Sequence, residues 1–348
     1  MRTQGAREHF TDLDAAISAL RSGSAEMVVG ALPFRQADAV ALTVPEHIIR
    51  EDGPLEPHSY YRFGPGARLS ASVAGMDPSY EEHLRRITAA INTIERTRLE
   101  KVVLARAVDV DFAEPIDPLL VAARLIDMAV NKNGFIADLA PVGRGMLVGS
   151  SPEVLVRKQG STVSAYPLAG SAARQADRVK DELAGRDLLS SGKDLSEHRF
   201  VVDHLRSVLA PLCSSLDIPD SPQLMSTNEM WHLATPIAGS LKDPGMSALE
   251  LAALVHPTPA ICGTPTEAAY GLIDAAESDR GFYAGAVGWA DVHGDGEFMV
   301  AIRCAEVSPD FLSARAWAGG GIVASSDPRA ELEETTAKLR TIMKALGL

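Results

Sequence analysis

The stretch GFYAGAVGWADVHGDGEFMVAIRCAEV, residues 281–307, decides the fold because two long apolar runs flank a short polar turn. The turn, His-Gly-Asp-Gly at 293–296, contains glycine, which adopts positive φ freely, and aspartate, which can bond to its own backbone. Apolar runs on either side of such a turn pair as the antiparallel strands of a β-hairpin. We therefore expect antiparallel sheet in this part of the chain.

Strand and helix patterns surround this hairpin on both sides. Strand-like apolar segments lie at 27–34, 39–44, 101–110, 134–140, 145–150 and 153–166, and helical apolar spacing is found at 12–20, 80–99, 194–209, 248–255 and 328–346. Hairpins outnumber strict β-α-β alternation, which predicts an α/β (α+β) protein with an antiparallel-rich sheet core and helices outside. We interpret 1–348 as one domain, in which 1–77 supplies the N-terminal part of the sheet core and 78–348 carries the motifs described below.

The composition is that of a globular protein with a large core. The 348 residues are 46% hydrophobic and 23% charged, and 33 basic against 46 acidic residues give a formal charge of −13. A surface of this sign repels nucleic acid and lacks the basic patch that binds acidic membranes. No apolar run approaches the ~18 residues of a membrane span, and the charged first residues do not resemble a signal peptide. Three widely spaced cysteines favour reduced thiols, so we expect a cytoplasmic protein, and a monomer because no interface pattern is visible.

The C-terminal helix carries an unusual group of charges in ELEETTAKLR, residues 331–340. At 100° per residue Glu331, Glu334 and Lys338 share one flank of this helix, directly after the glycines at 319–321. One interpretation is a solvated helix face with an i,i+4 ion pair, which is the commoner case. The other is a row of carboxylates at the wall of a pocket. The apolar positions that we expect to face the core are Leu332, Thr336, Leu339, Met343 and Leu346.

A second acidic helix lies in KDLSEHRFVVDHL, residues 193–205. Asp194 and Glu197 have the spacing of a capping box, which gives Glu197 a structural explanation. Glu197 also shares a helix face with Val201 and Leu205, so its carboxylate leans toward the interior. A buried carboxylate needs a cation or takes up a proton. Together with Glu334 it could hold a hard divalent ion such as Mg²⁺.

Three further side chains have both a structural and a catalytic interpretation. Arg303, within the apolar strand pattern EFMVAIRCAEV, must meet an anion, which could belong to a salt bridge or to a substrate carboxylate. Lys101, at the start of KVVLARAVDV, is expected to face water unless it is desolvated, in which case it could act as a general base. Glu153 follows Pro152 at a strand entrance, and in a semi-apolar cleft its carboxyl group could keep a proton near neutral pH and act as a general acid.

Taken together, the ordered motifs of this sequence resemble those of the chorismate-utilising enzymes, and within them the isochorismate synthases. The motifs that carry the resemblance are KVVLAR, GSSPEVLVRK, YPLAGSAAR, KDLSEHRFVV, SPQL, MWHLATPIAG, HPTPAICGTP, GFYAGAVGW, AIRCAEV, AGGGIVASSDP and ELEETTAKL, which extend from about residue 101 to the end of the chain. The resemblance implies antiparallel sheets packed face to face around a deep active-site cleft. It also implies chorismate as the substrate, Mg²⁺ as the cofactor and no amidotransferase partner.

The resemblance further assigns roles to individual residues. It implies that Lys101 is the base that activates water and that Glu153 is the acid that protonates the departing C4 hydroxyl, as water attacks C2. The metal ligands that it implies are Glu197 and Glu334, with Glu331 orienting metal-bound water. The substrate-binding residues that it implies are Gly170, Ser171, His232, Ala260, Tyr283, Arg303, Gly319 and Lys338.

Within the family, two positions favour water as the nucleophile. Aminating relatives generally lack a lysine at the position of Lys101, and the aminodeoxychorismate type has a lysine where this chain has Ala169. Salicylate synthases share Lys101 and the metal site but go on to eliminate pyruvate, so salicylate synthase is the alternative interpretation. Ile261, where isochorismate synthases often have leucine, and Tyr283, which salicylate synthases also use, depart from the usual isochorismate synthase pattern.

Overall fold

The computed structural model describes residues 1–51, 56–62, 68–129 and 133–348. The strands in these ranges are β1 Arg2–Gln4, β2 Glu8–Phe10, β3 Met27–Leu32, β4 Ala41–Val44, β5 His47–Ile49, β6 Ala71–Asp77, β7 Lys101–Phe112, β8 Phe135–Asp138, β9 Met146–Gly149, β10 Val154–Gln159, β11 Thr162–Tyr166, β12 Leu168–Ala173, β13 Cys213–Asp217, β14 Gln223–Ser226, β15 Met230–Ala234, β16 Ile237–Leu241, β17 Gly263–Thr264, β18 Ala286–Asp291, β19 Gly296–Val300, β20 Cys304–Val307 and β21 Ser313–Ile322. The α-helices are α1 Leu13–Ser22, α2 Tyr80–Arg96, α3 Pro118–Met128, α4 Arg178–Ser190, α5 Gly192–Leu209, α6 Ala248–Val255, α7 Thr266–Ala276 and α8 Pro328–Ala345.

Two large antiparallel sheets form the body of the molecule. The nine-stranded sheet has the order β13-β16-β11-β10-β19-β18-β3-β4-β2. In the seven-stranded sheet six strands follow the order β17-β7-β21-β20-β9-β8, and the seventh, β6, pairs with β7. The hairpin at 281–307 is β18–β19, whose strands pair Ala286 with Val300 and Ala290 with Gly296. The predicted fold class, an α/β (α+β) protein rich in antiparallel sheet, is confirmed.

The prediction that Arg303 lies inside a strand is wrong. β19 ends at Val300 in the nine-stranded sheet and β20 begins at Cys304 in the seven-stranded sheet, so residues 301–303 carry the chain from one sheet to the other. Arg303 has φ +51°, in the left-handed region that non-glycine residues seldom adopt. This backbone conformation turns the chain between the sheets, and strained residues of this kind are concentrated at functional sites.

The main hydrophobic core contains side chains from both large sheets. Val102 and Leu104 of β7, Val28 of β3 and Phe298 of β19 belong to the same buried cluster. A second cluster joins strands of the seven-stranded sheet to α3 and α8, for example through Leu125 and Ile342. Because a fully buried aliphatic side chain contributes about 1.5–3 kcal/mol, these clusters supply the main force that holds the layers together.

The predicted helices are present, but the details of α5 and α8 differ from the expectation. α5 is capped by Ser191, whose hydroxyl accepts the N–H of Asp194, so the proposed capping box of Asp194 and Glu197 is wrong. On α8 the buried positions include Glu331, Thr335, Leu339 and Ile342. Of the predicted core stripe, Leu332, Thr336 and Met343 are only half-buried. The helix is rotated so that an acidic residue faces inward.

None of the helices in the described ranges combines the length and the apolar character that a membrane span requires.

Candidate active site

A cleft lies between β7 and β21 of the seven-stranded sheet and the strands β12 and β15, which belong to a three-stranded sheet of order β12-β15-β14. It encloses about 700 Å³ when its open mouth is included. Most of the predicted site residues line it, namely Glu153, Gly170, Ser171, Glu197, His232, Ala260, Tyr283, Arg303, Gly319, Glu334 and Lys338. These residues come from several strands and from both α5 and α8. Lys101 and Glu331 are not among the lining residues, because both side chains are buried directly behind the surface of the cleft.

Lys101 is the first residue of β7, and its side chain is fully buried instead of facing water. Its Nζ lies 2.9 Å from Oε1 of Glu197 on α5, close enough for an ion pair although the approach angle is not that of a hydrogen bond. Gly321 on β21 makes room for this pair. A Cβ at Gly321 would lie 2.1 Å from the same carboxylate oxygen and 3.0 Å from Cε of Lys101.

Glu331 and Glu334 of α8 also have a lysine each. Lys193 Nζ donates to Glu331 Oε1 at 2.6 Å, and Lys338 Nζ lies 2.5 Å from Glu334 Oε1. Ser171 Oγ donates to Glu334 at 2.9 Å. Burial, and then the charge of Glu334, raise the pKa of Glu331, whereas Lys338, Ser171 and Lys193 outweigh the effect of burial and lower the pKa of Glu334.

These three glutamates have the chemistry that a hard divalent cation requires. Carboxylate oxygens of Glu197 and Glu331 lie beside Gly321 and Gly320 of β21, and Glu334 follows Glu331 by three residues on α8. Oε2 of Glu331 is buried without a hydrogen-bond partner. Carboxylate oxygens are the preferred ligands of Mg²⁺. In the described part of the chain no three acidic, histidine or cysteine side chains stand as a ready-made metal cluster. Each glutamate is instead paired with its own lysine, so the donor set fits the ion in chemistry and has an ammonium group beside each acid.

Glu153 has the environment of a protonated carboxylic acid. It precedes β10, is almost fully buried, and accepts the backbone N–H of Leu168 at 3.4 Å. Burial raises the pKa of Glu153 to about 7, although the hydrogen bond from Leu168 and the charges of Lys101 and Lys338 act in the opposite direction. A carboxyl group with this pKa can donate a proton near neutral pH.

Arg303, a cation, and His232 form one buried wall of the cleft. Nη2 of Arg303 lies 3.4 Å from Nε2 of His232, and both side chains are buried. Burial, followed by the charges of Arg303 and Lys338, holds the pKa of His232 well below its usual range, so the imidazole is neutral. A guanidinium that is buried next to a neutral histidine is suited to bind a planar carboxylate.

Aromatic rings and backbone groups complete the lining. The ring of Tyr283 stacks on that of Trp317 with centroids 5.6 Å apart, and burial raises the pKa of Tyr283 above its usual range. Gly319 lies next to the Tyr283 hydroxyl and accepts Nζ of Lys338 at 3.0 Å through its carbonyl oxygen. Gly170 has φ +77°, which lets β12 pass close to Asp194.

Sequence reasoning missed Lys193, Asp194 and Trp317 as members of the site. Lys193 precedes Glu197 by four residues, so the two share a face of α5, and this spacing could have identified it. Asp194 accepts the hydroxyl of Ser191, and burial raises its pKa. Trp317 gave no signal, because a tryptophan in an apolar strand is usually a core residue.

The fold and the cleft define a class of protein, namely an enzyme that acts on a small molecule and whose cleft, beside antiparallel sheets, is lined by buried acidic and basic side chains. The family described as chorismate binding enzyme matches residues 64–347, and the chain belongs to that family. It is 42% identical over 342 residues to the isochorismate synthase DhbC of Bacillus subtilis. The aligned region covers 96% of this chain and 84% of the relative.

Two solved structures have the same fold. The chain is similar to DhbC from Bacillus anthracis with a TM-score of 0.90 and 38% identity, over 99% of this chain and 93% of the other. It is similar to MenF from Escherichia coli, a menaquinone-specific isochorismate synthase, with a TM-score of 0.82 and 25% identity, over 99% and 85% of the two chains. The prediction of family and fold is confirmed, whereas the roles of the individual residues stay predictions.

Proposed function

We propose that this protein is an isochorismate synthase, which isomerises chorismate to isochorismate by adding water at C2 with loss of the C4 hydroxyl. The observation that carries the proposal is the position of Glu153, a carboxyl group with a pKa of about 7, in the same cleft as Arg303, Lys338 and Glu197, whose partner Lys101 lies directly behind the cleft surface. The identity to an isochorismate synthase over nearly the whole chain supports it.

Each step of the reaction has a group that suits it. Arg303 binds one substrate carboxylate through its guanidinium, and His232 and Tyr283 flank the ring. Lys101 must leave its ion pair with Glu197 as the neutral amine, and in that form it accepts the proton of the attacking water. Glu153 gives its proton to the C4 oxygen, which leaves as water while the double bonds shift. No electron is gained or lost, and no covalent enzyme intermediate is required. Positioned acid and base groups of this kind contribute about 10²–10⁴-fold each.

Mg²⁺ is the cofactor that we propose, held by Glu197 and Glu334 with Glu331 beside them. When bound, it supplies a dication that neutralises substrate carboxylate charge, which an acidic protein of net charge −13 needs to do locally. Ser171 and Lys193 already orient Glu334 and Glu331 in the cleft. Lys338 and the backbone of Gly170 and Gly319 would bind the remaining anionic groups.

Salicylate synthase remains the second candidate because it uses the same residues and then eliminates pyruvate. The identities to isochorismate synthases favour the first candidate. Incubation of the purified protein with chorismate and Mg²⁺, followed by separation of the products, should yield isochorismate. Salicylate with an equal amount of pyruvate would identify the second candidate, and unchanged chorismate would overturn both.

The same assay tests the nucleophile. Ammonium ions or glutamine with an amidotransferase should not introduce nitrogen into the product, since we expect no such partner. Formation of an aminated product would contradict water as the nucleophile.

A further inference from the structure

The outer edge of β7 has an interruption next to the cleft. β17 pairs with β7 at Lys101 and Val102, and β6 pairs with it at residues 107–112. The four residues at 103–106 lie between these two partner strands. Their backbone is buried, and buried backbone groups need hydrogen-bond partners.

Two side chains outside the predicted site supply these partners. Nη2 of Arg280 donates to the carbonyl oxygen of Val103 at 2.7 Å, and Oε1 of Glu277 accepts the N–H of Ala105 at 2.7 Å. Nη1 of Arg280 also donates to the carbonyl oxygen of Ile261 at 2.9 Å. The two side chains thus take the place of a strand along this part of β7.

Glu277 and Arg280 bind each other as well as the backbone. Nε and Nη2 of Arg280 donate to the two carboxylate oxygens of Glu277 at 2.8 and 2.9 Å, and both side chains are almost fully buried. The guanidinium also lies 4.5 Å from the ring centroid of Phe34 and 5.9 Å from that of Tyr283. A bidentate, buried ion pair of this kind fixes both geometry and orientation.

The backbone that this pair holds forms part of the cleft. Val103 and Ile261 both line it, Ala260 lies next to Ile261, and Lys101 is two residues before Val103 on the same strand. A change in the pair would therefore move one wall of the cleft and the base together. Misplacement of reacting groups by about 1 Å can cost 10²-fold in rate.

We propose that Glu277 and Arg280 are positioning residues for the reaction: they fix the start of β7 and the wall at 260–261, and they thereby set the place of Lys101 relative to the substrate. This inference rests on the proposed function, since it assigns the two residues to that chemistry. The pair touches the reacting groups only through the backbone.

The test compares Glu277→Gln and Arg280→Lys with a matched control, Asp295→Asn. Glutamine keeps an oxygen for the N–H of Ala105 but loses the charge that orients Arg280. Asp295 is a suitable control because it also pairs with a buried cation, Lys158, at 3.2 Å and accepts a backbone N–H, that of Gly160, at 2.7 Å. It lies at the β10 and β19 end of the other sheet, outside the residues that line the cleft.

For Glu277→Gln and Arg280→Lys we expect kcat to fall by about tenfold or more while KM for chorismate changes less than about threefold, because positioning acts on the transition state. Hydrogen exchange should become faster in peptides covering 101–106 and 258–264. Asp295→Asn should exchange faster only near its own hairpin and keep its kcat. If one of the two variants fails to fold, the other carries the same expectation.

Three results would overturn the inference. In the first, Glu277→Gln and Arg280→Lys both fold and keep the kcat of the wild type. In the second, Asp295→Asn loses as much kcat as these two variants do. In the third, neither variant folds although Asp295→Asn does. If the wild type does not convert chorismate, the proposed function fails instead. The exchange experiment then decides alone whether the pair holds this wall, and unchanged exchange at 101–106 counts against it.

Discussion

At the scale of the single residue, the protonation of Glu153 links stability to pH. Its pKa is about 7 in the folded protein, against about 4.3 for an unperturbed glutamate, so the folded state binds this proton more tightly than the unfolded state does. The stabilisation is complete below pH 4.3 and is lost as the pH rises through 7. Above pH 7 the folded protein has to bury the carboxylate anion of Glu153. The contribution of this group to the free energy of unfolding is then lower than below pH 4.3 by on the order of 3 kcal/mol.

We therefore predict that Glu153→Gln is about as stable as the wild type at pH 4.5 and more stable than it at pH 8.5, because the amide carries no charge at either pH. Urea unfolding of both proteins at the two pH values measures this. The variant should also lack turnover, since an amide cannot donate the proton. A stability difference that does not depend on pH would contradict the assigned protonation state.

The wild-type rate should respond to the same group. A general acid acts in its protonated form, so kcat/KM should fall as the pH rises through about 7, with one proton involved. The measurement is the initial rate at chorismate concentrations well below KM between pH 6 and 9. A flat profile over this range would remove Glu153 from the role of acid.

Lys101 is the residue whose loss should affect the chemistry most. Lys101→Ala removes the base and should lower kcat by about 10³-fold or more. It also leaves the carboxylate of Glu197 buried without its cation, which commonly costs about 3–5 kcal/mol, so a lower melting temperature is expected as well. Circular dichroism identifies the folded fraction, and a folded variant with the full rate would contradict the role of base.

At the scale of the element, β21 brings the helices close to β7 because it carries three glycines in succession. Gly321→Ala should displace Glu197, since its Cβ would lie 2.1 Å from the carboxylate, and turnover should be lost. Gly271→Ala is the matched control. It lies on the exposed face of α7 with nothing near its Cβ, so it should keep its activity and gain about 0.5–1 kcal/mol of stability. Equal activity of both variants would show that the close approach at Gly321 is unimportant.

The elements also show how far sequence patterns could predict this structure. The hairpin β18–β19 and the helices follow from apolar periodicity and turn residues, because these are local properties. The turn at Arg303, where the chain passes from one sheet to the other, does not follow from these patterns. An arginine gives no sequence signal for positive φ. The face of α8 was misjudged for a related reason. Glu331 is stabilised in its buried position by Lys193 on α5 and by Ser326 in the turn before α8, which both donate to its carboxylate.

The site itself was predicted by resemblance more than by periodicity. The resemblance carried by the motifs predicts that Glu153, Arg303 and Lys338 belong to one site, and in the structure all three line the same cleft. The pairing of Glu197 with Lys101 and of Glu331 with Lys193 could not be read from the sequence, unlike the i,i+4 pair of Glu334 with Lys338. It depends on how α5 and α8 meet across β21, and such tertiary contacts are not encoded in any single window of residues.

At the scale of the whole molecule, the balance of charge decides how Mg²⁺ should bind. The protein carries −13 overall, yet each of the three glutamates is already paired with a lysine, so a cation has to compete with ammonium groups inside the cleft. An ion that binds only the folded state stabilises it by about 2.7 kcal/mol at 100 times Kd. We therefore expect Mg²⁺ to raise Tm, and EDTA to abolish turnover and reverse that rise.

Two lysine variants separate the effect of local Lys–Glu pairing on Mg²⁺ binding from the effect of the net charge of the protein. Lys193→Met frees Glu331 from its partner, and Lys242→Met changes a surface lysine that binds the carbonyl oxygen of Pro211, so each alters the formal charge from −13 to −14. If local pairing limits the ion, Lys193→Met should reach half of the Mg²⁺-induced rise in Tm at about a tenfold lower concentration, because charges a few ångströms apart interact strongly in a buried site. Lys242→Met should titrate like the wild type, since solvent and salt screen an exposed charge. If the two variants shifted equally, the overall charge of the protein would govern the ion, and the lysine pairs would have no part in its affinity.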